Sequence, residues 1–248
     1  MKQRYALVTG GLGGIGTEIV KELARTGCRV AATYAPFEES RVAAWQEARK
    51  KEGVEVSLFS VDVADFASCE RMAAEVRSTF GVVNVLVNCA GIIRDATFKR
   101  LSYENWDKVL QVNLYSVFNI TRQFFEGMLE QRYGRIINIA SVNGQKGQFG
   151  QANYATSKAG MHGFSMSLAQ EGARYGVTVN SVAPGYTATE MMLQVPESVL
   201  DDIKKHIPMG RLAEPSEIAA AVSFLASDKA GFITGVNLDV NGGQWMHH

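Results

Sequence analysis

Tyr5-Ala6-Leu7-Val8-Thr9-Gly10-Gly11-Leu12-Gly13-Gly14-Ile15-Gly16 is the stretch that decides the fold. Its first four residues are a short apolar run, the rest is a glycine turn, and Ile19, Val20, Leu23 and Ala24 follow at helical spacing. The order is strand, turn, helix. Glycine accepts positive φ and lets the backbone come close to a ligand. The helix behind it offers free N–H groups and a positive dipole end to a pyrophosphate. A glycine repeat alone marks only a tight turn. With a strand before it and a helix after it, the pattern reads as a dinucleotide cradle, with Gly10, Gly14, Ile15 and Gly16 as contacts.

The same alternation runs outward through the chain. Strands are expected near 4–8, 29–34, 55–61, 83–88, 135–139, 178–183 and 236–240, and helices near 14–26, 40–52, 66–80, 104–131, 154–175 and 215–227. Runs such as Val85–Val87 and Ile136–Ile139 suit a parallel sheet buried on both faces. Right-handed crossovers then make residues 1–248 a single α/β domain, a doubly wound (Rossmann-type) parallel sheet flanked by helices, with its ligand at the carboxyl ends of the strands. The stretch 187–209, with Pro196 and Pro208, reads as irregular and suited to a lid.

Composition narrows the class. The 248 residues carry 25 Lys and Arg against 25 Asp and Glu, so neither a nucleic-acid footprint nor a membrane-attracting surface is expected. No apolar run approaches the roughly 20 residues that span a bilayer. Met1-Lys2-Gln3-Arg4 runs straight into the first expected strand, so no signal peptide is expected. Cys28, Cys69 and Cys89 form no close metal-type pair and are expected to be reduced thiols in a cytoplasmic protein, with no metal site. His247 and His248 fit either a native end or a tag remnant.

The chemistry lies in Tyr154-Ala155-Thr156-Ser157-Lys158, thirteen residues after Ser141. Residues four apart share a helix face. An ammonium beside a phenol favours the phenolate and is expected to bring the Tyr154 pKa down from about 10. Such a pair can give a proton to a carbonyl oxygen or take one from an alcohol.

Together, Thr9-Gly10-x-x-x-Gly14-Ile15-Gly16, Asn88-x-Ala90-Gly91, Asn113, Ser141, Tyr154-x-x-x-Lys158 and Pro184-Gly185 resemble the short-chain dehydrogenase/reductase family in order and across essentially the whole chain. Cys89 stands where that family most often has a second asparagine. The resemblance implies Tyr154 as proton donor, Lys158 as its partner and as holder of the nicotinamide ribose, and Ser141 on the carbonyl oxygen. It implies Asn113 as a relay asparagine holding a water near the lysine. Asn88, Ala90, Gly91, Pro184 and Gly185 are then cofactor contacts, and Asp62-Val63 resembles the pair beside the adenine. NADPH and NADH stay open: Ser40 and Arg41 suit a 2′-phosphate, while Glu38 and Glu39 in the same loop would repel one.

Ser141 through Gln151, with Arg94-Asp95 and Pro184-Gly185-Tyr186, resembles most closely the acetoacetyl-CoA reductase group of that family, which serves polyhydroxybutyrate synthesis. That implies an acyl-CoA substrate and places Asp95, Ser141, Gln148, Phe149, Gln151, Tyr154 and Tyr186 around its acyl group. Lys99 and Arg100, and more weakly Lys204, Lys205 and Arg211, are candidates for the CoA phosphates. A homotetramer is expected from the resemblance. The alternatives are reduction of 3-oxoacyl groups on an acyl carrier protein, and a non-catalytic dinucleotide-binding regulator.

Overall fold

The computed structural model describes residues 3–246; the terminal His247 and His248 lie outside the described residues. One parallel sheet is built from β1 (Arg4–Val8), β2 (Cys28–Tyr34), β3 (Val56–Ser60), β4 (Val85–Asn88), β5 (Gly134–Ile139), β6 (Val177–Pro184) and β7 (Asn237–Val240). Their order is β3-β2-β1-β4-β5-β6-β7. The direction of winding reverses between β1 and β4, which opens a crevice at the carboxyl edge. The helices are α1 (Gly14–Arg25), α2 (Glu39–Lys51), α3 (Phe66–Thr79), α4 (Tyr103–Leu110), α5 (Ser116–Gln131), α6 (Asn143–Lys146), α7 (Ala152–Gly172), α8 (Glu190–Leu193), α9 (Glu197–Lys205) and α10 (Pro215–Ala226).

Strand alternation splits the core into two layers. Ala6, Val8, Val85, Val87 and Ile137 face α1 and α10, against Ile19, Val20, Leu23, Ile218 and Val222. Leu7, Leu86, Ile136 and Val179 face the other way, against Met72 and Val76 of α3 and Ile120, Phe124 and Met128 of α5. Each such side chain contributes roughly 1.5–3 kcal/mol when fully buried. Two packed faces make the sheet a rigid floor under the crevice.

The expected helix at 104–131 is interrupted: Gln111–Tyr115 is a π-helical turn between α4 and α5. Its cause is local. Asn113 is fully buried, with its side chain bonded to both the N–H and the C=O of Ile92, and the widened turn accommodates that inward amide. Residues 187–209 are more regular than expected, because α8 and α9 fall there, with Pro196 at the cap of α9. No helix among the described residues is long and apolar enough to cross a membrane.

Candidate active site

The glycine turn is shaped by close approach. Gly10 has φ 63°, and a Cβ there would sit 2.9 Å from Ala90 Cα. At Gly16 a Cβ would lie 2.2 Å from Gly10 O, so neither position admits a side chain without the turn moving. No side chain of the described residues caps α1, which leaves the first-turn N–H groups of Gly14, Ile15 and Gly16 for an anion. Thr9 Oγ1 accepts the N–H groups of Cys89 and Ala90 at 3.0 and 3.1 Å, tying the ends of β1 and β4 together. This cradle fits a dinucleotide pyrophosphate.

Asn88 supports the site from within the sheet. Its Nδ2 donates to Thr121 and to Asn138 Oδ1, and the residue is buried, so it fastens β4 to β5 and α5. Val63 likewise turns its side chain into the core, and its carbonyl accepts from Asn119. Asp62 is exposed and accepts the N–H of Ala64, while the neighbouring cap of α3 is Asp65. Gly185 is small because Asn241 lies against it, 2.9 Å from where a Cβ would be. The Pro184 carbonyl accepts the N–H of Val142, so this pair sits beside the Ser141 loop.

At the end of β2, both acids of the loop are engaged. Glu38 accepts the Ala35 N–H at 3.0 Å with one oxygen and Arg41 at 2.9 Å with the other. Glu39 accepts from the Tyr34 hydroxyl at 2.8 Å. A second nitrogen of Arg41 reaches Leu12 O at 3.5 Å, which lays the guanidinium across the glycine turn.

Tyr154 and Lys158 stand one turn apart on α7, as expected, and the lysine's hydrogen bond goes to the strand below. Lys158 Nζ donates to Ile139 O at 2.7 Å and lies 5.6 Å from the centre of the Tyr154 ring. The expectation that it brings the phenol down is therefore corrected. Burial pushes Tyr154 up to about 12, with Asp95 and Cys89 adding to the rise and hydrogen bonding by Ser141 opposing it. Burial also brings Lys158 down to about 8, against the raising effect of Cys89. The Cys89 thiol itself is pushed to about 11 by burial. Asn113 lies beside this group: a Cβ at Gly91 would be 3.3 Å from Asn113 Oδ1 and 3.6 Å from Lys158 Nζ. Besides Ile92, Asn113 donates to Ser157 Oγ at 3.2 Å, so its amide holds the side chain next to the lysine.

These values fix a pH dependence. With the phenol protonated to about 12, the group lost first on raising pH is the Lys158 ammonium, near 8. In the reductive direction kcat/KM for the dinucleotide, which reports the free enzyme, should be full below about pH 8 and fall above it. A profile flat to pH 10, about two units higher, would refute the assignment.

A second wall faces Tyr154. Ser141 Oγ accepts the Asn143 N–H at 3.1 Å, Asn143 Nδ2 donates to Gln151 Oε1 at 2.8 Å, and Gln151 Nε2 donates to Asp95 Oδ2 at 2.7 Å. Asn153, fully buried just before Tyr154, donates to Arg94 O at 2.9 Å and accepts the Tyr154 N–H. Asn143 and Asn153 were not among the residues expected from sequence. Gln148 accepts from Lys146, Phe149 is 87% exposed at the rim, and Tyr186 is half-buried, its phenol raised by burial and by Asp95. Of the phosphate candidates, Arg211 is held by both oxygens of Glu217 and Lys204 by Asp201. Lys99 and Arg100 lie in the exposed turn after Ala96 and enter none of the ion pairs found among the described residues.

A glycine cradle at the switch point of a doubly wound sheet, with a tyrosine and a lysine beside it, defines a class: oxidoreductases that work with a nicotinamide dinucleotide. Comparison with known proteins agrees. The family model described as enoyl-(acyl carrier protein) reductase matches residues 10–244. An acetoacetyl-CoA reductase of Allochromatium vinosum is 55% identical over 98% of this chain and 99% of its own. One from Cupriavidus necator is 49% identical over 99% and 100%. A 3-oxoacyl-(acyl-carrier-protein) reductase of Haemophilus influenzae is 42% identical over the same shares. The chain belongs to the short-chain dehydrogenase/reductase family.

Proposed function

We propose that this chain reduces the 3-keto group of a short 3-oxoacyl thioester, acetoacetyl-CoA foremost, to the (R)-3-hydroxy product, with NADPH as reductant and in the service of polyhydroxybutyrate synthesis. The observation that carries the reading is the juxtaposition of Ser141 and Tyr154 with the amide wall of Asn143 and Gln151, on a chain 55% identical to an acetoacetyl-CoA reductase. Gly10, Gly14, Ile15 and Gly16 would hold the pyrophosphate, Ala90 and Gly91 the inner face, and Lys158 the nicotinamide ribose. The bound dinucleotide supplies a hydride. The chain does the rest: Ser141 and Tyr154 hydrogen-bond the keto oxygen, and the Tyr154 hydroxyl delivers a proton to it as negative charge develops. Ser141 stabilises the phenolate left behind, while Lys158 would hold the ribose from its place on the Ile139 carbonyl and Asn113 keeps the lysine's surroundings in place.

The α8–α9 segment would close over the acyl group, and Lys99 and Arg100 would meet the CoA phosphates. Half-exposed Tyr115 and Phe118 at the start of α5, with Phe118 stacked on Phe66, and Met166 on α7 support assembly as a homotetramer. Three free thiols support a cytoplasmic setting. The test is loss of nicotinamide absorbance with acetoacetyl-CoA and with the same acyl group on an acyl carrier protein. Turnover confined to the carrier-bound substrate would replace this reading with the carrier-protein one, and none with either would end both.

A further inference from the structure

Resting on the NADPH reading, we propose that Trp45 is a positioning residue for the dinucleotide: it pins α2 to the glycine turn and so sets the place of Arg41 over the cradle. Among the described residues of α2, Trp45 is the only one that is buried, at 9% exposure. It stands four residues after Arg41, on the same face of the helix. Its indole Nε1 donates to Thr17 Oγ1 at 3.0 Å, and Thr17 Oγ1 donates in turn to Gly11 O at 3.2 Å. An indole N–H can only donate and a hydroxyl has a single hydrogen. With the indole on one lone pair of Thr17, the hydroxyl hydrogen is left for the Gly11 carbonyl. The other side of Gly11 is fixed as well: its N–H donates to Thr33 O at 2.9 Å, and a Cβ there would lie 2.4 Å from Ala32 Cβ. Trp45 is thus tied to a part of the turn that has little room to shift.

Arg41 has no such tie of its own among the described residues. Its bond to Glu38 at 2.9 Å joins two residues of the same loop and travels with α2. Its contact with Leu12 O, at 3.5 Å, is too long to carry a helix. The strand side of α2 is held by Glu39, which accepts from Tyr34 at 2.8 Å. Trp45 holds the side toward the glycine turn, with Val42 packed against the same core cluster. The indole ring is itself clamped. Arg49, paired with both oxygens of Glu52, lies 5.2 Å from its centre, and Glu52 reaches Lys21 of α1 at 3.7 Å. Exposed charge pairs of this kind add little by themselves, which leaves the buried indole as the main tie between α2 and the turn. Trp45 therefore acts on the 2′-phosphate through Arg41.

The test is fluorescence titration of NADPH and of NADH onto wild type, Trp45→Phe, Arg41→Ala and the double variant. It needs no acyl substrate, so the outcome does not depend on which thioester is reduced. Trp45→Phe keeps an aromatic ring but loses the N–H. It should weaken NADPH about three- to tenfold, the range for one lost hydrogen bond, and leave NADH within about twofold of wild type. On the Arg41→Ala background the same change should add nothing for NADPH, because the group it positions is gone. Thr17→Val keeps the volume and removes the hydroxyl, and should lower the NADPH-to-NADH affinity ratio in the same way, whereas Thr17→Ser should retain it. Should thermal melts show that Trp45→Phe does not fold, Thr17→Val decides by the same criteria. Equal losses for the two dinucleotides would make Trp45 a support of the turn alone and overturn the proposal. Losses that multiply in the double variant would overturn it equally. If Arg41→Ala leaves both affinities unchanged, the NADPH reading falls and the proposal with it. If Arg41→Ala weakens NADPH and Trp45→Phe does not, only the positioning role falls.

Discussion

Tyr154→Phe should lower kcat by about 10²–10⁴-fold, the range lost when a positioned general acid is removed, while dinucleotide affinity stays as in the wild type. The phenol is the only group among the described site residues that combines a transferable proton with a place beside Ser141. Lys158 is turned to Ile139 O, and Cys89 is raised to about 11. At about 12, Tyr154 is a poor acid toward a neutral ketone but a sufficient one toward an alkoxide, so the proton moves as the hydride arrives and not before. Retaining the ring keeps the packing, so the loss belongs to the hydroxyl. Single-turnover rates with a 3-oxoacyl thioester and fluorescence titration of the dinucleotide separate the two quantities. Turnover within a few-fold of wild type would mean that another group carries the proton, and weakened dinucleotide binding would mean that the hydroxyl also holds the cofactor.

What the sequence reveals here follows the range of each interaction. Val85–Val87 and Ile136–Ile139 announce a two-faced sheet because burial on both sides leaves only Asn138 polar along them, and that side chain is buried and bonded to Asn88 and Ser165. The glycine turn is legible because only glycine fits the contacts at Gly10 and Gly16. The π turn at Asn113 is not, since a helical apolar pattern through 104–131 barely registers one widened turn, and its cause, Ile92, is distant in sequence. α8 and α9, at 4 and 9 residues, are too short for periodicity to stand out. The Tyr154–Lys158 spacing places both side chains on one face but cannot tell that Nζ turns to a strand carbonyl, and so it misjudges the direction of the phenol's shift. Asn143 and Asn153 look like ordinary loop and helix-start asparagines. Their partners Gln151, Arg94 and Asn105 come from other segments, so only the fold gives them meaning.

Arg41→Ala should cost about 10- to 150-fold in kcat/KM for NADPH and little for NADH, the span of 1.5–3 kcal/mol for a hydrogen bond to a charged group. The sequence leaves the cofactor open because Glu38, Glu39 and Arg41 share one loop. The geometry weighs them unequally. Glu39 is occupied by Tyr34, and Glu38 is fixed to the Ala35 N–H while its other oxygen meets Arg41. A guanidinium has five donors and uses few of them here, so it can add a phosphate while lying over Leu12. Its side chain is 56% exposed, which screens the pairing with Glu38 and makes exchange for a doubly charged phosphate favourable. Glu38→Gln follows from the same picture: the amide oxygen can still accept the Ala35 N–H, the rival charge is gone, and the NADPH/NADH ratio should rise. If Arg41→Ala leaves that ratio unchanged, the guanidinium is only a partner for Glu38. If Glu38→Gln lowers it, the acid is what holds Arg41 in reach of the phosphate, and the pair then acts as one recognition unit.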